Sequence, residues 1–176
     1  MGLMKIATYY RRCNDDVRFF KGDLKKFAAQ LLCEEFCAEI GEPSLGKYFS
    51  KLTEFIKIGK YSSLDAVPDF RGSEYEEIIK IYRRKYKNKE FSQFDVVGVT
   101  TLFTFYWKQT VDTINYAKNF CKPEGKIFVG GIASTILPDY IYEETGIKPQ
   151  IGLLDKQGDL DEGNTDIIDE LPLDYS

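Results

Sequence analysis

The alternation in the second half of the chain restricts the fold most. Phe94–Thr101 is a run of apolar and β-branched residues of the kind that parallel strands buried on both faces carry. Behind it Trp107, Val111, Ile114, Ala117 and Cys121 recur at helical spacing, and residues 126–129 form a second strand-like run. Gly130 and Gly131 then lead into a helical stretch over 135–145, and residues 151–154 read as a last strand. A β-α-β-α-β order requires parallel strands joined by helical crossovers, and hence an α/β fold with helices on both faces of the sheet.

The first half obeys a different period. Residues 2–13 place Leu3, Ile6, Ala7 and Tyr10 on one helical face, Asn14, Asp15 and Asp16 break that helix as a turn, and residues 17–20 are strand-like. A helix followed by a strand is the second half of a βαβ unit, so the first strand is expected to be missing from this sequence. Between 23 and 91 the apolar positions, among them Phe27, Leu31, Leu52, Phe55, Ile79 and Tyr82, predict three helices, separated at 41–43 and 65–72. That stretch is too long for a simple βα connection and reads as a helical insertion. The expected organisation is an α/β domain over 1–154, with the insertion at about 23–91, and an acidic linker over 155–176.

Composition narrows the chemistry. With 176 residues, of which 43% are hydrophobic, one domain can bury a core without disulfides or metals. Histidine is absent, which excludes an imidazole base, zinc ligand or lower corrin ligand from this chain. Cys13, Cys33, Cys37 and Cys121 fall on helical segments and no secretory signal precedes them, so they are expected to be reduced thiols in the cytoplasm. No apolar stretch approaches the roughly 18 to 20 residues of a membrane span. From Asp155 onward eight acids face the single base Lys156, while the rest of the chain is net positive, which suits a tail that lies across its own domain or leads into another.

In an open parallel sheet ligands sit beyond the carboxyl ends of the strands, so the candidate binding residues are Thr100, Thr101 and Leu102 after one strand and Gly130 and Gly131 after the next. The hydroxyls can bond a polar ligand edge or cap the following helix, which is expected to run in through Phe103. The glycines can admit a ligand to the backbone or form a tight turn.

These two elements resemble the Ser/Thr-x-Leu and Gly-Gly elements of cobalamin-binding domains, which have the flavodoxin-like fold. Longer stretches, including Leu3-Met4-Lys5-Ile6-Ala7, Val97-Gly98-Val99-Thr100-Thr101-Leu102-Phe103, Val129-Gly130-Gly131-Ile132-Ala133, Gly152-Leu153-Leu154-Asp155-Lys156 and Leu171-Pro172-Leu173-Asp174-Tyr175-Ser176, are similar to the N-terminal region of a group of radical S-adenosylmethionine proteins. There a domain of this fold precedes the catalytic barrel. The resemblance implies a cobalamin-binding-like accessory domain without catalytic residues, whose partner is a C-terminal radical S-adenosylmethionine barrel. S-adenosylmethionine and the [4Fe-4S] cluster would belong to that barrel. The Asp-x-His-x-x-Gly loop that supplies a histidine to cobalt is absent here, so cobalamin could bind only without one. Cys33 and Cys37 have the first spacing of the cluster motif, but Ile40 stands where its third thiolate would be.

Other constellations read more simply as structure. The cations from Lys80 to Lys89, interleaved with Tyr82 and Tyr86, could face RNA, but they suit the C-terminal end of a solvated helix, and no nucleic-acid partner is expected. Asp159 and Asp161 lack calcium-loop spacing, so no metal is assigned. Beside the accessory-domain reading stand a docking domain that has lost corrin binding and a flavodoxin-like domain for a nucleotide or flavin.

Overall fold

The structure is a computed structural model that describes residues 2–102, 106–160 and 164–175. The expected helix entry at Phe103, together with Asp161, Gly163 and Ser176 of the tail, lies outside them. The order is α1 (Gly2–Arg12), α2 (Leu24–Ile40), α3 (Phe49–Ile58), α4 (Glu74–Asn88), β1 (Phe94–Thr101), α5 (Trp107–Ala117), β2 (Cys121–Gly131), α6 (Ile132–Ile136) and α7 (Pro138–Thr145). It is a mixed α/β chain in two compact units: residues 20–93, which are helical, and residues 1–19 with 94–176, which hold the sheet.

Among the described residues the sheet has two parallel strands, β1 and β2, joined through α5. Residues 17–20 and 151–154, expected as strands, are not strands. The first run is short and forms no ladder. The second makes one strand-like contact at its entry, where the Gln150 N–H donates to the Val129 carbonyl at 2.7 Å. Two boundaries also move. Cys121, assigned by spacing to a helix face, begins β2, because the chain bulges between Cys121 and Lys126 before regular pairing resumes. The single helix expected over 135–145 is two, since Pro138 lacks the N–H that continuity requires and starts α7 instead.

Strand alternation sorts the α/β unit into layers. Val99, Ile127 and Val129 face α5 and α7, where Ile114, Val129 and Ile141 form a buried cluster. On the opposite face α1 lies over Gly98, where a Cβ would come within 2.9 Å of Leu3 Cδ2. Phe128, paired with Gly98, packs there with Ile6, Tyr9 and Tyr10 against Leu154, Leu160, Ile168 and Leu171. The acidic tail is therefore folded against α1. Arg11 pairs with Asp174 at 3.0 Å, Arg12 with Asp166 at 3.7 Å, and the Thr8 hydroxyl donates to the Pro172 carbonyl at 2.8 Å.

The helical unit holds α2, α3 and α4 around a dense core that includes Leu32, Phe36, Leu52, Phe55, Phe70 and Ile79. Asp23 caps α2 by accepting the Lys25 N–H at 2.9 Å, and Gly41 ends it in the left-handed region. Arg83 of α4 donates to the carbonyls of Phe55, Ile56 and Ile58 at 2.8–3.1 Å, satisfying the C-terminal end of α3 with a cation. Among the described residues no helix is long and apolar enough to cross a membrane.

Candidate functional site

The parallel register brings the candidate residues to one edge of the sheet: Thr100 pairs with Gly130, and Thr101 with Gly131. Thr101 is buried, at 3% exposure, and its hydroxyl is fully used. It donates to the Gly130 carbonyl at 3.0 Å, accepts the Ser134 backbone N–H at 3.0 Å, and lies 2.9 Å from the Ser134 hydroxyl. Thr101 thus ties the end of β1 to the end of β2 and to the first turn of α6. Ser134, itself fully buried, was not singled out by the sequence; its signal is a hydroxyl three residues beyond the glycine pair.

The two glycines differ. Gly131 has φ of 110°, and a Cβ there would meet the Thr101 carbonyl oxygen at 2.3 Å. Its missing side chain admits the neighbouring strand. Gly130 is less constrained, since a Cβ would meet Gln150 Cβ at an ordinary 3.8 Å. Thr100 and Leu102 are exposed. They line a shallow groove of about 240 Å³ with Tyr106, Gln109, Thr110 and Thr113 of the α5 entry. Hydroxyls and an amide make this groove polar, without a carboxylate or cation to exchange a proton.

A corrin does not fit these residues. The chain has no histidine for cobalt, the space at Gly131 is filled by β1 backbone, and the groove is smaller than the roughly 300–1,000 Å³ of typical small-molecule sites. Phosphate cradling by the Gly130–Gly131 turn fares no better, because the helix it opens, α6, has five residues. The segments that follow β1 and β2 instead carry exposed apolar side chains. Leu102, Trp107, Ile132, Ile136, Ile151 and Leu153 are each more than half exposed. The Gly152 N–H, which donates to the Thr135 hydroxyl at 3.4 Å, draws the 151–153 segment to α6.

The remaining candidates are structural. Cys33 is buried, its thiol pushed up to about 12 by burial, and it donates to the Phe49 carbonyl at 3.7 Å; burial raises Cys37 as well. Burial thus disfavours the thiolate at both sulfurs, Cys33 in the core of the helical unit and Cys37 half-buried beside it. In the basic run, Lys80 pairs with Glu76 at 3.1 Å and Glu77 at 2.6 Å, Arg83 caps α3, and Lys85 lies 4.4 Å above the Tyr82 ring. Asp159 accepts the Lys156 N–H at 2.9 Å in a local turn. Among the described residues no group of three or more acids or cysteines is placed to hold a metal ion. None of the protein-family models, curated proteins and solved structures compared with the chain matches it.

Proposed function

We propose that the chain is a cytoplasmic accessory module of the flavodoxin-like, cobalamin-binding-domain type, and that it serves a radical S-adenosylmethionine barrel as a docking domain without holding a corrin. The observation that carries this reading is that Leu102, Trp107, Ile132 and Ile136, in the segments that follow β1 and β2, are each more than half exposed. Large apolar side chains left exposed at the ends of a sheet are the kind that interaction surfaces use. The tie from Thr101 to Gly130 and Ser134 supports the same reading, since it closes the strand ends on each other. The barrel as partner rests on the resemblance of the segments around Thr100, Gly130 and Leu171.

The test has two arms. Purified protein is mixed with hydroxocobalamin, and separately with FMN, and then desalted; neither visible spectrum is expected to stay with the protein. Stoichiometric retention of the corrin or the flavin would sink the docking reading in favour of a cofactor site. In the second arm the chain is mixed with a radical S-adenosylmethionine barrel encoded by the adjoining DNA. Co-elution is expected, and the pair Ile132→Glu and Ile136→Glu should abolish it.

A further inference from the structure

Beyond α7, residues 150–154 form no strand, yet their backbone is tied to β2, to α6 and to the tail. The Gln150 N–H donates to the Val129 carbonyl at 2.7 Å, the Gly152 N–H to the Thr135 hydroxyl at 3.4 Å, and the Leu154 N–H to the Asp169 carboxylate at 2.8 Å. Ile151 and Leu153, which lie between these ties, are 54% and 70% exposed. The middle tie is near the outer limit of a hydrogen bond, so the segment is fixed chiefly at its two ends. One of those ends belongs to the tail.

The tie at Leu154 is made twice. Asp169 donates its own N–H to the Leu154 carbonyl at 3.1 Å while its carboxylate accepts the Leu154 N–H. A strand rung would use the Asp169 carbonyl for the second bond. Here that carbonyl accepts the Lys5 ammonium of α1, and the side chain takes its place. Lys5 also lies 3.7 Å from Asp169 Oδ1. Asp166 and Asp174 pair with the arginines of α1, whereas Asp169 holds α1 and the 150–154 segment together. The Leu154 side chain packs in the cluster with Ile168, but apolar packing is non-directional. It fixes where the backbone passes, and the paired hydrogen bonds fix how it is turned.

We propose, on the docking reading above, that Asp169 is a positioning residue through which the tail regulates the docking face. When the tail is seated on α1, Asp169 sets the direction of the backbone at Leu154, and so presents Ile151 and Leu153 next to α6 through the tie from Gly152 to Thr135. When the tail is released, Leu154 loses both bonds, the segment turns freely, and affinity for the partner falls. By linkage, a bound partner holds the tail in place.

Amide exchange in Asp169→Ala and Asp169→Asn, each in the full 176-residue chain, tests the coupling. Asparagine keeps an oxygen for the Leu154 N–H and should stay close to the wild type. Alanine removes the acceptor, and exchange is expected to rise roughly tenfold or more at Leu154 and also at Gly152, with the amides of β1 and β2 unchanged. Acceleration at Leu154 alone would overturn the proposal, because the packing of Leu154 would then suffice to hold the segment. Acceleration that extends through β1 and β2 would overturn it as well, by making Asp169 a general stabiliser of the unit. Mixed with the barrel, Asp169→Ala should bind roughly tenfold more weakly than the wild type and Asp169→Asn should bind normally; equal binding by all three would overturn regulation by the tail. If the wild type itself fails to bind the barrel, the docking reading falls, and the exchange pattern alone decides whether Asp169 turns the segment.

Discussion

At Gly131 the backbone of β1 stands where a side chain would begin, so Gly131→Ala meets both a 2.3 Å overlap with the Thr101 carbonyl and an unfavourable φ of 110°. Backbone cannot move aside as a flexible side chain can, and the loss should be about 2–4 kcal/mol. Gly130→Ala adds only an ordinary contact and should stay within about 1 kcal/mol of wild type. Urea denaturation of the two variants checks this; equal losses would mean that the pair acts as one turn. Thr101 belongs to the same knot, because removing its hydroxyl would strip the buried Ser134 N–H of its acceptor. That Thr100, Thr101, Gly130 and Gly131 share one edge was legible from strand ends alone, since parallel strands joined by a helical crossover bring their carboxyl ends to the same side of the sheet. That the hydroxyl would turn inward was not, because a threonine that binds a ligand and one that ties two strands have the same spacing.

Among the elements, the tail raises the question of which force holds it. Arg12 and Asp166 are both more than a third exposed, and such pairs contribute about 0–1 kcal/mol. Ile168 is fully buried and Leu154, Leu160 and Leu171 nearly so, and deleting one such side chain costs about 2–5 kcal/mol. The apolar anchor therefore outweighs that exposed pair. Chymotrypsin cleavage after Leu173 and Tyr175 should stay slow for the wild type in about 1 M salt, where exposed pairs are screened, and accelerate in Ile168→Ala. Release by salt alone would show that the charge pairs hold the tail. Sequence reading made this segment a linker because it has no period; its three anchors, Leu160, Ile168 and Leu171, are irregularly spaced and pack with Leu154 against Ile6, Tyr9 and Tyr10, more than a hundred residues away. The helices and the two paired strands were legible because each repeats its apolar positions over several turns or pleats. Residues 17–20 and 151–154 have strand-like composition, but a strand exists only where a neighbour completes its ladder.

For the molecule as a whole, the two units differ in how much they bury. Phe36, Phe55, Phe70 and Phe91, all fully buried, lie in the helical unit, whereas the α/β unit depends on smaller clusters and a two-stranded sheet. Unfolding should occur in two steps, with the α/β unit first. The single tryptophan, Trp107, begins α5 and reports on that unit, while α2, α3 and α4 contribute most of the helical signal. Fluorescence should therefore change at lower urea than far-UV dichroism; superimposable curves would refute separate units. The packing of α1 against the tail also has a consequence during synthesis. α1 is covered by residues that lie roughly 150 to 165 positions later in the chain, and at 5–20 residues per second the interval is about 8 to 30 s. The helical unit can finish folding within that time. Ile6, Tyr9 and Tyr10 cannot be covered by their final partners until then, which makes the nascent α1 a natural substrate for holding chaperones.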